Sequence, residues 1–325
     1  MASDYLPFRP KRVLVTGVTG LVGRGVAKTL VGGGTEVVGA CRTTVRPEAR
    51  VLGVRYVEVG EIGLETRWDD ALRDVDAVVH AAAHAHVMSP SARDHAAYHR
   101  VNVAGTRVLA RAAEAHGVGR FVFVSSIKVN GEATLRGPFT SDDHPAPRDA
   151  FARCKLAGEE AIRDSLSRSQ WVIVRPPLVY GAGMRGNFAR MAHLVSTGLP
   201  LPFGAIDNRR SLVGVDNLSD LIALLISHPR AVGRVWLASD GEDVSTPELV
   251  SAIANVIGLP ARLWSAPVWL LRVLGAVAGR HSEMRRLTES LYLDIDQTRD
   301  MLGWKPKIAL RDGLARALEG YRVSV

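Results

Sequence analysis

Three glycines spaced three apart close a short apolar run near the N-terminus, Val13-Leu-Val-Thr-Gly17-Val-Thr-Gly20-Leu-Val-Gly23. Val13 to Val15 reads as a buried parallel strand, and Arg24 to Val31 as a helix. Between them, glycine permits the tight strand-to-helix turn and puts no Cβ in the way of a ligand approaching the backbone. The free N–H groups and the positive dipole end of the new helix favour an anionic diphosphate. Gly17, Thr19, Gly20, Leu21, Val22 and Gly23 are therefore the first candidate binding residues. An ordinary glycine turn in an α/β domain is the alternative; the order strand, glycine turn, helix lifts the motif above it.

Further strands are predicted at Glu36–Cys41, Val54–Val59, Ala77–His80, Phe121–Ser125 and Trp171–Arg175, with helices at Tyr98–His116 and Phe151–Ser165. Strands alternating with helices predict a doubly wound parallel (Rossmann) sheet. His80-Ala81-Ala82-Ala83 follows one strand, and Asn102-Val-Ala-Gly-Thr106 lies early in the next helix. Ser125-Ser126 ends a later strand, Lys155 opens the helix after it, and Arg175-Pro176-Pro-Leu-Val-Tyr-Gly181 closes the sixth strand. Residues 9–180, rejoined by 211–240, are expected to form the dinucleotide-binding unit. Residues 181–210 and 241–325 are expected to form a smaller C-terminal substrate-binding lobe.

On these motifs, in this order from Val13 to about Trp304, the chain resembles an extended short-chain dehydrogenase/reductase. The branch is that of nucleotide-sugar epimerases, dehydratases and 4-ketoreductases. Ser125-Ser-Ile-Lys-Val-Asn-Gly131 and Asn208-Arg-Arg-Ser-Leu-Val-Gly-Val-Asp-Asn217 resemble runs in bacterial sugar 4-reductases and 4-epimerases of surface-polysaccharide pathways. The resemblance implies that Ser126 bonds the C4 oxygen of the sugar and that Lys155 holds the nicotinamide ribose. Asn102 would position the active-site backbone or a water. Local backbone bonding for Ser126 and a helix-start cap for Asn102 are the plainer readings. It further places Glu61 and Ile62 at the adenine ring, and Ala81, Ala82 and Pro176 among the cofactor contacts. Lys128, Asn187, Arg210 and Arg285 (or Arg286) fall on the side of the nucleoside-diphosphate sugar. A guanidinium suits phosphate oxygens because it binds them bidentately.

One position departs from the pattern. The catalytic signature is Tyr-x-x-x-Lys, and this chain reads Phe151-Ala-Arg-Cys-Lys155. A phenol titrates near ~10, and a lysine one helical turn away lowers it by stabilising the phenolate. Residues 151 and 155 share a helix face, so the geometry is kept while the proton-carrying oxygen is missing. Such a loss costs about a hundred- to ten-thousand-fold in rate. Ser126, Lys155 and Asn102 are intact, which favours an inactivated variant of an enzyme over a natural binding protein.

Cofactor choice is read at the tip of the second strand, where NAD-users place an acid and NADP-users an arginine. The chain reads Glu36-Val-Val-Gly-Ala-Cys41-Arg42, so NADP(H) is preferred over NAD(H), with Arg24 as a second cation. A solvated Arg42 is the alternative. Because 4-epimerases retain NAD and 4-ketoreductases exchange NADPH, Arg42 leans toward an NADP(H)-dependent 4-ketoreductase acting on a UDP- or dTDP-sugar. An NAD-dependent 4-epimerase and a non-catalytic dinucleotide-binding protein are the alternatives. Dehydratases carry an acid directly after the catalytic Ser/Thr; Ile127 and Lys128 follow Ser126 here, which argues against dehydration.

The 325 residues, 47% of them hydrophobic, suffice for a large core. Net charge is +8, which could suit nucleic acid, an anionic membrane or anionic small molecules; with the arginines dispersed and not in a run, phosphate-bearing ligands are preferred. Cys41 and Cys154, without metal or disulfide spacing, and a polar Met1–Pro10 without a signal predict a cytoplasmic protein. Val268 to Ala278 is apolar apart from Arg272 and too short to span a bilayer. It is expected to be a buried or interfacial helix of the smaller lobe, with loose docking at a membrane as the lesser reading. His80, His84, His86, His95 and His99 cluster in sequence without acidic or cysteine partners, so they are expected to line or flank the site and bind no metal. The resemblance also implies a homodimer through helices near Asn102–His116 and Phe151–Ser165. Their small faces are Val103, Thr106, Val108, Ala110 and Ala113 in one, Ala152, Leu156 and Ala161 in the other.

Overall fold

A computed structural model describes residues 8–85, 92–184 and 186–321. The first half alternates β1 (Arg12–Thr16), α1 (Leu21–Gly32), β2 (Glu36–Cys41), β3 (Val54–Glu58), α2 (Asp69–Leu72) and β4 (Ala77–His80). Next come α3 (Ala92–His99) and α4 (Thr106–Ala115), joined by a π-helical stretch at Arg100–Gly105. β5 (Arg120–Val124), α5 (Ala150–Ser165), β6 (Gln170–Arg175) and β7 (Leu178–Tyr180) follow. Beyond them lie α6 (Asn187–Ser196), β8 (Arg210–Gly214), α7 (Val215–Ser227), β9 (Val235–Leu237) and β10 (Asp243–Val244). Five helices end the chain: α8 (Thr246–Ile257), α9 (Val268–Val277), α10 (His281–Thr288), α11 (Asp296–Leu302) and α12 (Leu310–Ala317).

Seven strands form one parallel sheet in the order β3-β2-β1-β4-β5-β6-β9. Strand order reverses between β1 and β4, and such a switch point opens a crevice at the carboxyl ends of the strands. Both faces are covered, which is why the strands read as continuous apolar runs. Val13 and Val15 pack into the core on one face and Leu14 into the core on the other, all fully buried. A second sheet, β10-β8-β7, leads to a separate core in which Phe188, Leu249, Ile253 and Leu314 join α6, α8 and α12.

Strand bounds depart from expectation by a residue: β3 stops at Glu58 and β5 at Val124, leaving Val59 and Ser125 outside. The larger differences lie in the helices. The run carrying Asn102 starts at Ala92, so Asn102 sits mid-run in the π-helical stretch and is no helix-start cap. α5 starts at Ala150, capped by the Asp149 carboxylate on the Ala152 N–H at 2.7 Å, which puts Lys155 in its second turn. The motif that closes β6 splits between the two sheets: Arg175 ends β6, and Leu178–Tyr180 leaves the main sheet to pair with β8.

Candidate active site

The turn after β1 is built by close backbone approaches. Gly17 has φ +67°, and a Cβ there would stand 2.7 Å from the Ala82 nitrogen. A Cβ on Gly23 would stand 2.2 Å from the Gly17 carbonyl oxygen. Gly17 requires glycine because the loops after β1 and β4 meet at the switch point, and Gly23 because the first turn of α1 packs on the Gly17 carbonyl. Gly20 precedes α1 as its N-cap, with no side-chain cap and no acid in the first turn. An uncapped helix start leaves N–H donors for an anion, so these residues fit a dinucleotide diphosphate. Ala81 and Ala82 face this turn across the crevice.

Directly beneath it runs a buried chain of hydrogen bonds. The Ala82 N–H donates to Thr16 Oγ at 3.2 Å, and Thr16 Oγ lies 2.6 Å from His80 Nδ1. His80 Nε2 lies 3.0 Å from Thr106 Oγ, which donates to the Asn102 carbonyl at 2.9 Å. With the Thr106 proton committed, Nε2 carries the imidazole proton and Nδ1 accepts from Thr16. Burial, and then the charge of Lys155, push His80 down to about 3, so the ring is neutral at physiological pH. Of the two expected positions, lining or flanking the site, His80 takes the second: it is a buried spacer beneath the glycine turn. The Asn102 amide clamps the next loop, accepting from the His84 N–H at 2.8 Å and donating to the His84 carbonyl at 3.0 Å. His84 packs edge-on against Tyr98, with ring centroids 5.1 Å apart. His95 and His99 are exposed on α3, and His86 lies outside the described residues. Among the described residues, no three His, Cys, Asp or Glu side chains converge as a metal site.

Lys155 and Phe151 share one face of α5 at the carboxyl end of β5. Lys155 is buried, donates to the Val124 carbonyl at 2.7 Å and lies 4.6 Å from the centroid of the Phe123 ring. Burial lowers its pKa to about 8, opposed by the charge of Glu159. Ser126 follows two residues after Val124, half-buried, and its hydroxyl accepts from the Lys128 N–H at 3.3 Å. Phe151 is half-buried, with its ring edge-on to buried Tyr98 at 6.1 Å. The Pro176 carbonyl, just past β6, accepts from the Ile127 N–H at 2.9 Å and ties this strand end to the Ser126 turn.

Behind these residues lies an ion pair that carries no sequence signature. Arg175 grips Glu159 through Nε at 2.9 Å and Nη2 at 2.6 Å, both groups being buried. Ser125 donates to the same carboxylate at 2.5 Å, and the remaining Arg175 nitrogen reaches Asn130 Oδ1 at 2.9 Å. Glu159 stands one turn beyond Lys155. The network therefore fixes the end of β5, the Ser126 turn and α5 against one another.

The other candidates are spread around the crevice. Arg42 is exposed just past the tip of β2, Glu61 pairs with Arg100 at 3.1 Å, and Ile62 packs against Gly105. Lys128 pairs with Asp149. Burial raises the Asp149 pKa, but the Lys128 charge and hydrogen bond, the Ala152 N–H and Arg286 outweigh it and lower it overall. Asn187 is the exposed first residue of α6. Arg210 is tied by Nη1 to the carbonyls of Arg286 at 2.7 Å and Glu289 at 3.2 Å; burial, then Arg286, push it down to about 10. Arg285 is engaged by Glu289 at 2.9 and 3.1 Å, so Arg286, whose charge reaches Asp149, is the freer cation of the two.

A doubly wound sheet with an uncapped glycine turn at its switch point, and Ser126 and Lys155 beside it, defines a short-chain dehydrogenase/reductase scaffold. The model of the NAD dependent epimerase/dehydratase family matches residues 13–238, and the chain belongs to that family. It is 42% identical over 320 residues to a UDP-glucose 4-epimerase of Vibrio cholerae, covering 96% of each chain. It is 27% identical over 328 residues to a GDP-6-deoxy-D-mannose reductase of Pseudomonas aeruginosa, covering 97% of this chain and 98% of that one. Among solved structures, MoeE5 in complex with UDP-glucose and NAD superposes with a TM-score of 0.74 at 26% identity, covering 95% and 97% of the two chains. WbmG of Bordetella bronchiseptica in complex with NAD gives 0.75 at 23% identity, covering 98% and 95%.

Proposed function

We propose that the chain is built for reversible oxidation at C4 of a nucleoside-diphosphate sugar, as a 4-epimerase, with Phe151 in the place of the proton-transferring tyrosine. The observation that carries this reading is the placement of Ser126 just past the end of β5, where Lys155 bonds the Val124 carbonyl, in a sheet whose switch point carries a glycine turn fit for a dinucleotide. The extended similarity to a UDP-glucose 4-epimerase supports it. A nicotinamide dinucleotide at that turn would supply the hydride acceptor and donor. Gly17 to Gly23 and the start of α1 bind its diphosphate. The Ser126 hydroxyl bonds the C4 oxygen. The Lys155 ammonium, largely charged at neutral pH with a pKa of about 8, orients the ribose and would lower a phenol at position 151. Phe151 has no proton to pass, so binding persists and turnover is slow.

Arg42 favours a second reading, an NADP(H)-dependent 4-ketoreductase. It is exposed past the tip of β2, and only NADP presents a 2′-phosphate for a charge-assisted pair there. Identification of the nucleotide released on denaturation, with calorimetric titration of Arg42→Ala, separates the two. Retained NAD and equal losses of NADPH and NADH affinity support the epimerase. A loss confined to NADPH supports the reductase. A non-catalytic dinucleotide-binding protein rests on Phe151 alone.

The sugar side of the site belongs to the lobe of α6 and α8 to α12, with Lys128, Asn187, Arg210 and Arg286 around the diphosphate. A homodimer fits the α3–α4 surface, where Leu64, Val103, Ala104 and Val108 line a groove of about 550 Å³. The small faces expected to form that contact are spent elsewhere: Thr106, Ala110, Ala113, Ala152 and Ala161 are fully buried in the chain's own core. Light scattering at micromolar concentration tests the dimer.

A further inference from the structure

α9 breaks the rule that a surface helix turns a polar face to water. Its inward residues are Leu271 and Gly275, the latter packed so closely on α10 that a Cβ would meet Met284 Cγ at 2.0 Å. Its outward residues are apolar apart from Arg272, whose Nε donates to Thr288 Oγ1 at 3.1 Å. Trp269 is 67% exposed and Val277 83%, with Val273 and Leu274 above one half. Trp264, just before the helix, adds a second exposed indole. From Arg262 to Arg286 the chain carries five arginines against a single acid, Glu283. That acid is already engaged by Arg190 at 3.1 Å and Arg280 at 4.0 Å.

We infer that the α9 face docks on the surface of an anionic phospholipid bilayer. Paired tryptophans beside an aliphatic strip suit the headgroup boundary, where an indole keeps its ring in hydrocarbon and its N–H in polar surroundings. Arg262, Arg272 and Arg280, exposed beside this strip, supply the attraction to acidic headgroups. Ten residues cannot cross the hydrocarbon core, and no helix among the described residues is long and apolar enough to do so. The helix therefore lies in the interface. α10 joins this face to the candidate site, because it packs on α9 while its Arg286 acts on Asp149. The docking does not depend on which sugar or cofactor the site takes.

Vesicle flotation of the full chain tests this, with phosphatidylglycerol/phosphatidylethanolamine vesicles against phosphatidylcholine alone. The expected result is partition into the anionic vesicles about tenfold stronger than into the neutral ones, with tryptophan emission quenched by brominated acyl chains. Trp264→Ser/Trp269→Ser and, separately, Val277→Asp should each lower partition about tenfold or more. Val277 is so exposed that its replacement leaves folding intact, which thermal melting verifies. Absence of partition by the unmodified chain overturns the inference. So does partition that Val277→Asp leaves unchanged. A self-associated chain that Val277→Asp converts to monomer, without vesicle binding, would assign the face to a second copy and overturn it equally.

Discussion

Glu159→Gln tests whether the network behind Lys155 holds the site together. The carboxylate accepts three hydrogen bonds, from Ser125 and from two nitrogens of Arg175, in a fully buried position. The amide removes its charge, points an N–H at one of these donors, and leaves the Arg175 guanidinium buried without a counter-charge. Breaking one side of such a pair costs about 3–5 kcal/mol. With an unfolding entropy of about 2 cal/mol/K per residue, a chain of 325 residues loses about 4–7 °C of Tm. Replacing both partners, as in Glu159→Leu/Arg175→Met, removes the stranded charge and should recover part of that loss. Differential scanning calorimetry of the parent, Glu159→Gln, the double variant and its two singles, Glu159→Leu and Arg175→Met, measures the coupling. A Glu159→Gln Tm within about 1 °C of the parent, or a double variant equal to the sum of the singles, would refute the reasoning.

Gly23→Ala should weaken dinucleotide binding at least about tenfold, since its Cβ would stand 2.2 Å from the Gly17 oxygen and the turn must open; an unchanged Kd in calorimetric titration would show that the turn is not the binding element. His80 titrates near 3 when folded and near 6.5 when unfolded, so the folded state favours the neutral ring. Its contribution is complete above pH 6.5 and is lost as pH falls toward 3, by about 1.4 kcal/mol per pH unit. Urea unfolding between those limits should therefore show a one-proton slope that His80→Gln lacks, and an identical slope in the variant would remove His80 as its source. For cofactor choice, Arg42→Ala should weaken NADPH far more than NADH under the reductase reading and both equally under the epimerase one.

The parallel sheet was legible because strands buried on both faces leave uninterrupted apolar runs such as Val13–Val15, and glycine marks the turns between them. The helices were less so. Nothing in the local pattern of Arg100-Val-Asn102-Val-Ala-Gly105 announces a π-helical stretch, whose place is set by the Asn102 clamp on His84 and the close packing of Gly105 on Ile62. Whether His80 lines or only flanks the site was not legible, because its partners Thr16 and Thr106, 64 and 26 residues away, are what hold it inside. Glu159 and Arg175 escaped for the same reason: an ion pair between two elements has no spacing rule. The common helix face of residues 151 and 155 was legible, since positions i and i+4 stack on one side of a helix and both fall within α5.

The chemistry assigned to position 151 is tested most directly by Phe151→Tyr, assayed for interconversion of UDP-glucose and UDP-galactose and for reduction of 4-keto nucleotide sugars with NADPH. Restoration of the phenol should raise turnover about a hundred- to ten-thousand-fold over the parent chain, with nucleotide affinity nearly unchanged. A Phe151→Tyr protein that binds dinucleotide and nucleotide sugar as the parent does, yet shows neither interconversion nor reduction, would contradict the account.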